Sequence, residues 1–282
     1  MVRANPQPGL ETRRVILRID DIEHGSAHSL EKSLQAKQRT EDAQLLQTSQ
    51  STGWRPHFLV SAYFFGYYGD LHERNAMSQQ LQIHPVTPQP RLIRQVVEQV
   101  QAGGVIIYPT DSTYALGCAV GNKEGMDRIR AIRNLDDEHY LTLVCRDLTE
   151  LSTYAKVDNW AFRLVKNLTP GPYTFLLKAS REVPRRLQHP KRKTIGMRVP
   201  DGPIARAILD ELGEPLVSST LLLPGDERPL SEPDEIAERL GKQVDLLVAG
   251  GACGPEMTTV LDCVEDEPVI VRRGKGAVDF LD

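Results

Sequence analysis

From Met77 onward the apolar residues follow two rhythms, one helical and one strand-like. Leu92, Ile93, Val96, Val97 and Val100 recur at three- and four-residue spacing and predict an amphipathic helix. Gly103 and Gly104 close it. Residues 105–108 then form a continuous apolar run, read as a buried strand that stops at Pro109, which has no N–H for a ladder. Asn122 caps a helix carrying Met126, Ile129 and Ile132, and residues 141–145 are a short apolar strand. Asp147-Leu148-Thr149-Glu150 has capping-box form. Asp158 caps the next helix, whose core side is expected to be Phe162, Val165 and Leu168. Pro170-Gly171-Pro172 breaks that helix, and strands are predicted at 173–177 and 194–199. A helix over 203–212 ends at Gly213, and 216–223 is an apolar run holding three hydroxyls. A further helix runs to Leu240, followed by strands at 244–248, 258–264 and 269–272. The alternation predicts an α/β layer protein with a mixed sheet, in a single domain of about 200 residues.

Residues 1–76 read differently. They are rich in Gln, Ser, Thr and Arg and hold few aliphatic runs, which predicts a poorly ordered extension. Met77 reads as the start of the folded domain (77–282), and the preceding residues as an over-long gene start.

The chain has 282 residues, 40% hydrophobic and 26% charged, with a formal net charge of −4. A general polyanion binder is excluded at that balance, so any nucleic-acid surface has to be local. Four cysteines show no C-x-x-C spacing and read as buried thiols of a reduced compartment. The seven histidines form no ligand pattern, and no dedicated metal site is expected. Residues 1–20 lack a signal-type apolar region. The run 58–68 is interrupted by Ser61 and Gly66, short of the ~20 residues of a membrane span. The expected location is cytoplasmic, with no membrane partner.

Candidate chemistry gathers at strand ends. Thr110, Asp111, Ser112, Thr113 and Tyr114 follow the first apolar strand and can all hydrogen-bond. They read either as groups displayed at a sheet edge or as a turn capping a helix. Arg198 lies within a predicted strand, Arg133 ends a helix and Arg272 ends the last strand. An arginine on an apolar sheet is costly unless it is paired, here with Asp111 or Asp262, or lines a site. Thr194, Ser218, Ser219, Thr220, Thr258 and Thr259 add hydroxyls beside strands. Gly250-Gly251 reads as a tight turn or a phosphate loop. No nucleotide fingerprint of the P-loop or Rossmann type, no Ser–His–acid set and no carboxylate pair is present, so the site is one that holds charge and positions reactants. Residues 181–193 carry six basic residues against one acid, including Arg185, Arg186, Lys191, Arg192 and Lys193. They read either as a solvated loop or as a polyanion-binding segment without base stacking.

Six segments in this order resemble the YrdC-like family, which includes threonylcarbamoyl-AMP synthases, and within it the YciO branch. They are PTDSTYALGC (109–118), PGPYTFLLK (170–178), TIGMRVP (194–200), PLVSSTLLLPG (215–225), TTVLD (258–262) and IVRRG (270–274). The resemblance implies a twisted mixed sheet with flanking helices around a concave, positively charged cavity. It implies ATP with Mg²⁺, L-threonine and bicarbonate as ligands. A carboxylated threonine attacks the α-phosphate, giving threonylcarbamoyl-AMP for the N6-threonylcarbamoyl modification of tRNA adenosine 37. By position, Ser112, Arg198, Thr220 and Thr258 would contact threonine, and Arg133, Thr194 and Arg272 the nucleotide. Double-stranded RNA is a further ligand that the resemblance implies.

Two positions depart from the synthase pattern. The K-x-R motif of synthases falls on Arg133 and Leu135, and their S-x-N motif on Thr220 and Leu222. One phosphate-binding cation and one amide are lost, each worth about 1.5–3 kcal/mol. Three readings follow: a YciO-type paralogue with weak or altered adenylate chemistry, a genuine synthase, or a non-catalytic double-stranded RNA-binding module. The expected start at Met77 is checked by the intact mass of the natively expressed protein. A species beginning at Met77 or Ser78 is expected, and one carrying the whole of 1–76 overturns it.

Overall fold

A computed structural model describes residues 79–136, 139 and 141–281. The extension read into residues 1–76 lies outside these residues.

The described chain alternates strands and helices, as the two apolar rhythms require. The strands are β1 (Gln79–Gln82), β2 (Ile106–Pro109), β3 (Tyr114–Ala119), β4 (Thr142–Val144), β5 (Ala155–Lys156) and β6 (Tyr173–Ala179). They continue with β7 (Thr194–Arg198), β8 (Leu216–Thr220), β9 (Leu246–Ala249), β10 (Thr259–Asp262) and β11 (Val269–Arg272). The helices are α1 (Pro90–Gln101), α2 (Lys123–Arg133), α3 (Leu148–Tyr154), α4 (Asn159–Leu168), α5 (Pro203–Leu212) and α6 (Pro233–Leu240). All eleven strands join one mixed sheet in the order β1-β9-β2-β3-β8-β4-β7-β6-β10-β11, with β5 paired to β6. β4–β7, β2–β9 and β6–β10 are parallel, and β2–β3, β3–β8, β8–β4 and β6–β7 are antiparallel.

Two apolar layers sandwich the sheet. The larger holds Leu116, Cys118, Leu143, Val217, Phe175, Leu177, Ile195 and Met197 against α2, α4 and α6. The smaller packs α1 and α5 on Ile106, Tyr108, Val144, Leu216, Leu246 and Val248. Local signals at the helix ends operate as the residue types dictate. Asn122 accepts a hydrogen bond from the Gly125 N–H, and Asp147 from that of Glu150, while Glu150 in turn accepts from the Arg146 N–H. Gly213 closes α5 at φ +73°.

The structure corrects several expectations. The strand at 105–108 does not stop before its proline. β2 includes Pro109, and the chain returns at once as β3, with Pro109 opposite Tyr114. The hydroxyl-rich stretch is therefore the turn of a β-hairpin, and it caps no helix. β3 was not predicted, because Ala115, Gly117 and Ala119 fill one of its faces and blunt the alternation. The short strands β1 and β5 were also not predicted. α4 buries Val165 and packs Leu168 against the larger core as expected, but Phe162 is 38% exposed and Ala161 is buried in its place. Asp158 occupies the N-cap position of α4, but its side chain makes no capping bond.

Gly250-Gly251 is a turn packed against the hairpin. Gly251 adopts φ +87°, and a Cβ on Gly250 would lie 2.5 Å from Ile204 Cδ1 and 2.8 Å from Pro109 Cγ. Gly250→Ala is expected to cost about 1–3 kcal/mol through overpacking. At this chain length that lowers the melting temperature by about 2–4 °C per kcal/mol, which thermal denaturation checks.

Candidate functional site

Side chains alternate across a strand, so the face opposite the larger core can be read from the register. Ala115 pairs with Thr220, and Gly117 with Ser218, on β3 and β8. Ser218 pairs with Thr142, Thr142 with Gly196, and Val144 with Arg198. Thr194 and Arg198 share the face of Gly196, and Thr174 opposes Val260, which opposes Arg272. The central strands thus present glycines, alanine, hydroxyls and arginines on the face where a core would otherwise continue. Gly196 is part of this surface: a Cβ there would meet Thr142 Oγ1 at 3.1 Å.

The hairpin turn meets β7 at one place. Arg198 Nη2 donates to Ser112 Oγ at 3.1 Å and forms a short, buried ion pair with Asp111 Oδ1. Thr110 Oγ1 donates its one proton to the Thr113 carbonyl at 2.7 Å. Ser112 Oγ must therefore be the donor in its 3.1 Å contact with Thr110 Oγ1, which leaves its lone pairs to Arg198. Lys275 Nζ donates to the Asp111 carbonyl. Arg198 is only 7% exposed and Ser112 1%. Two atoms of this group, Asp111 Oδ2 and Arg198 Nε, are buried without a hydrogen-bond partner. Beneath them the Tyr108 hydroxyl donates to Ser218 Oγ at 2.9 Å, because Ser218 gives its own proton to the Leu116 carbonyl. Burial raises the Tyr108 phenol above its ordinary pKa, so it stays a neutral donor at neutral pH.

A second group has cations without carboxylates. Arg133, at the end of α2, donates through Nη1 to Ser219 Oγ at 2.9 Å and to the Thr220 carbonyl. Arg272 donates through Nη2 to the Thr258 carbonyl at 2.9 Å and to Thr258 Oγ1 at 3.2 Å; Thr258 Oγ1 is 2.9 Å from Thr174 Oγ1. Burial and the neighbouring Arg272 charge push Arg133 down to about 10, and burial lowers Arg272. Both remain protonated at neutral pH. Among the described residues neither has an ion-pair partner, and Arg133 Nε is buried without a hydrogen bond. Burial and these same two arginines also lower His139.

The sequence-predicted residues therefore separate into three places. Ser112 and Arg198 meet directly. Arg133, Thr220, Thr258 and Arg272 form the second group, and Thr194 is fully buried on the same sheet face. Arg185, Arg186, Lys191, Arg192 and Lys193 lie on the loop between β6 and β7, joining none of these contacts. Asp111, considered only as an ion partner, proves central, and Tyr108, Thr142, Thr174, His139 and Lys275 were missed. For the sheet residues the signal was available as small and hydroxyl residues at alternate strand positions. Burial raises the thiols of Cys118 and Cys263 to about 12 and that of Cys253 to about 11, so none of these supplies a thiolate at neutral pH.

Comparison with known proteins gives concordant results. The profile of the family described as Sua5_yciO_yrdC, Telomere recombination, matches residues 98–274. YciO of Escherichia coli K12 is 61% identical over 202 residues, covering 72% of this chain and 98% of its own. Its crystal structure superposes with a TM-score of 0.70 at 60% identity, over the same shares of the two chains. A threonylcarbamoyl-AMP synthase of Halorhodospira halophila is 30% identical over 177 residues, 62% of this chain and 91% of its own. P. abyssi Sua5, whose crystal structure is complexed with L-threonine, shares the fold with a TM-score of 0.65 at 23% identity, over 70% of this chain and 58% of its own.

The Asp111–Arg198 pair sets a stability test. Removing either partner strands a buried charge, so Asp111→Ala and Arg198→Ala are each expected to cost about 3–5 kcal/mol. The double variant is expected to cost less than the sum, as denaturant unfolding of the three proteins would reveal.

Proposed function

The chain belongs to the Sua5/YciO/YrdC family, and on that footing we propose that it binds an amino acid and a nucleotide side by side and runs threonylcarbamoyl-AMP chemistry weakly or in altered form. The observation that carries this reading is the buried Asp111–Arg198 pair with one acceptor and one donor left over. A zwitterionic amino acid carries charges complementary to that pair, a carboxylate for the Arg198 guanidinium and an ammonium for the Asp111 carboxylate. The hydroxyls of Ser112 and Thr110 suit the β-hydroxyl of threonine, the ligand of P. abyssi Sua5. Arg133 and Arg272 bring positive charge without carboxylate partners among the described residues, which favours phosphates, with Thr194 assigned to the nucleotide. Thr220 and Thr258, bonded to Arg133 and Arg272, are assigned to threonine where it borders the phosphates.

The reaction that fits this arrangement joins the threonine amine, as the free base, to the carbon of bicarbonate with loss of water, giving a carbamate. A carbamate oxygen attacks the α-phosphorus of ATP, and pyrophosphate leaves. The chain's part is to orient the two anions and to offset charge at the phosphates. Mg²⁺ would arrive on ATP, since no cluster of three His, Cys, Asp or Glu suited to a metal occurs among the described residues.

The weakening has a structural rationale. Leu135 packs against the larger apolar core, and Leu222 is half-buried, so neither offers a polar group to a triphosphate. Genuine synthase activity is the second reading, favoured by the 30% identity to a named synthase. Full-length protein with threonine, bicarbonate and Mg-ATP is expected to release pyrophosphate slowly. Brisk turnover would favour the second reading. Leu135→Arg with Leu222→Asn is expected to tighten ATP by about tenfold or more; an unchanged dissociation constant by calorimetry counts against the thinned-site reading.

A further inference from the structure

The basic loop between β6 and β7 borders a half-open cleft of its own. Its volume is about 660 Å³, and Ala179, Ser180, Arg181, Val183, Arg185, Gln188 and Lys193 line it. None of these residues belongs to the site above. Lys193 immediately precedes β7 and Arg198 ends it, five residues or about 16 Å away at ~3.3 Å per residue. The volume falls within the range of small-molecule sites.

The loop's charges are sorted by position. Arg186 reaches Asp127 at 3.7 Å and Arg192 pairs with Asp262 at 2.7 Å, and both lie outside the cleft lining. Arg181, Arg185 and Lys193 line the cleft, and among the described residues none of the three has an ion pair. Glu182, the one acid of 181–193, is exposed and does not line it. Three cations thus converge on one concavity with no anion to balance them.

The loop is also held in shape. Ser180 bonds back to the Thr153 carbonyl at 2.7 Å and accepts from the Glu182 N–H. Gln188 Nε2 donates to the Val183 carbonyl at 2.8 Å, which leaves its amide oxygen as an acceptor. The His189 ring accepts from the N–H groups of Lys191 and Arg192, each at 3.2 Å. Val183 and Leu187 anchor the segment in the larger core. Lys193 takes φ +54°, a conformation few side chains adopt, between two backbone bonds: its N–H to the His189 carbonyl and its carbonyl to the Ala179 N–H.

We propose that this cleft is a binding site for a small phosphorylated ligand, a phosphomonoester of about mononucleotide size. Arg181, Arg185 and Lys193 hold the phosphate. Gln188 and the apolar surface of Ala179 and Val183 receive the remainder. Compactness favours this over a nucleic-acid surface. Duplex binding draws on many cations spread along a backbone, whereas here Arg186 and Arg192 already face carboxylates and no aromatic side chain lines the cleft.

The test is titration of the ¹⁵N-labelled full-length protein with AMP and, separately, with inorganic phosphate. Saturable amide shifts are expected at 179–188 and 193 with both, tighter for AMP. Arg185→Gln with Lys193→Gln is expected to weaken both by at least about tenfold. The same variant should leave L-threonine shifts at 110–114 and 198, and the melting temperature, unchanged. Absence of saturable shifts in the loop, or equal affinity in the variant, overturns the proposal. So does tighter binding of a short RNA duplex whose footprint spreads to Arg186, Lys191 and Arg192.

Discussion

A guanidinium on a central strand of an apolar sheet has to be neutralised, and much of the site follows from how this chain does it. Arg198 ends β7 almost wholly out of water. Removing an ion from water costs several kcal/mol unless a counter-charge and hydrogen bonds meet it. Asp111 and Ser112 supply both, and they come from the turn between β2 and β3. The turn is itself braced: Thr110 satisfies its backbone, Lys275 holds the Asp111 carbonyl, and Gly202 approaches so closely that a Cβ would lie 3.0 Å from the Asp111 N. Hairpin, β7 end and the start of α5 therefore constrain one another around a single charge pair.

The sheet face explains why that pair borders a site. A helix needs an apolar surface to pack on, and the central strands present Gly117, Gly196, Thr142, Ser218 and Thr220 there. α1 and α5 cover only the neighbouring region, where Ile106, Leu216, Leu246 and Val248 provide one. The face thus changes from apolar to hydroxyl-bearing within the length of β8, from Leu216 to Thr220. Across it the electrostatics are uneven. Arg198 is balanced by Asp111, whereas Arg133, lowered by burial and by the Arg272 charge, and Arg272, lowered by burial, have no carboxylate partner among the described residues. One end holds a balanced ion pair and the other two cations without a carboxylate partner among the described residues.

Much of the fold was legible from the pattern alone. α5 was predicted at its observed bounds and β11 likewise, because proline, glycine and apolar spacing agree there. The caps at Asn122 and Asp147 were legible because they involve residues three apart. β3 was not legible, since alternation between large and small apolar residues carries little polarity contrast. Phe162 misled for the opposite reason: a large apolar side chain was read as core, yet α4 buries its smaller neighbour Ala161. The candidate site was legible as residue types but not as partners. Arg198 and Asp111 are 87 positions apart, and register alone brings them together.

By itself the sequence determined the fold class, the positions of most helices and central strands, and the inventory of arginines and hydroxyls at strand ends. These are properties of composition, spacing and motif order, which local physics converts into structure. Only the tertiary structure decided which arginine meets a carboxylate and which meets only hydroxyls and carbonyls among the described residues. It also divided the basic run between ion pairs and an open cleft. Those outcomes depend on the approach of segments far apart in the chain, and a buried charge's energy is set by what lies within a few ångströms of it.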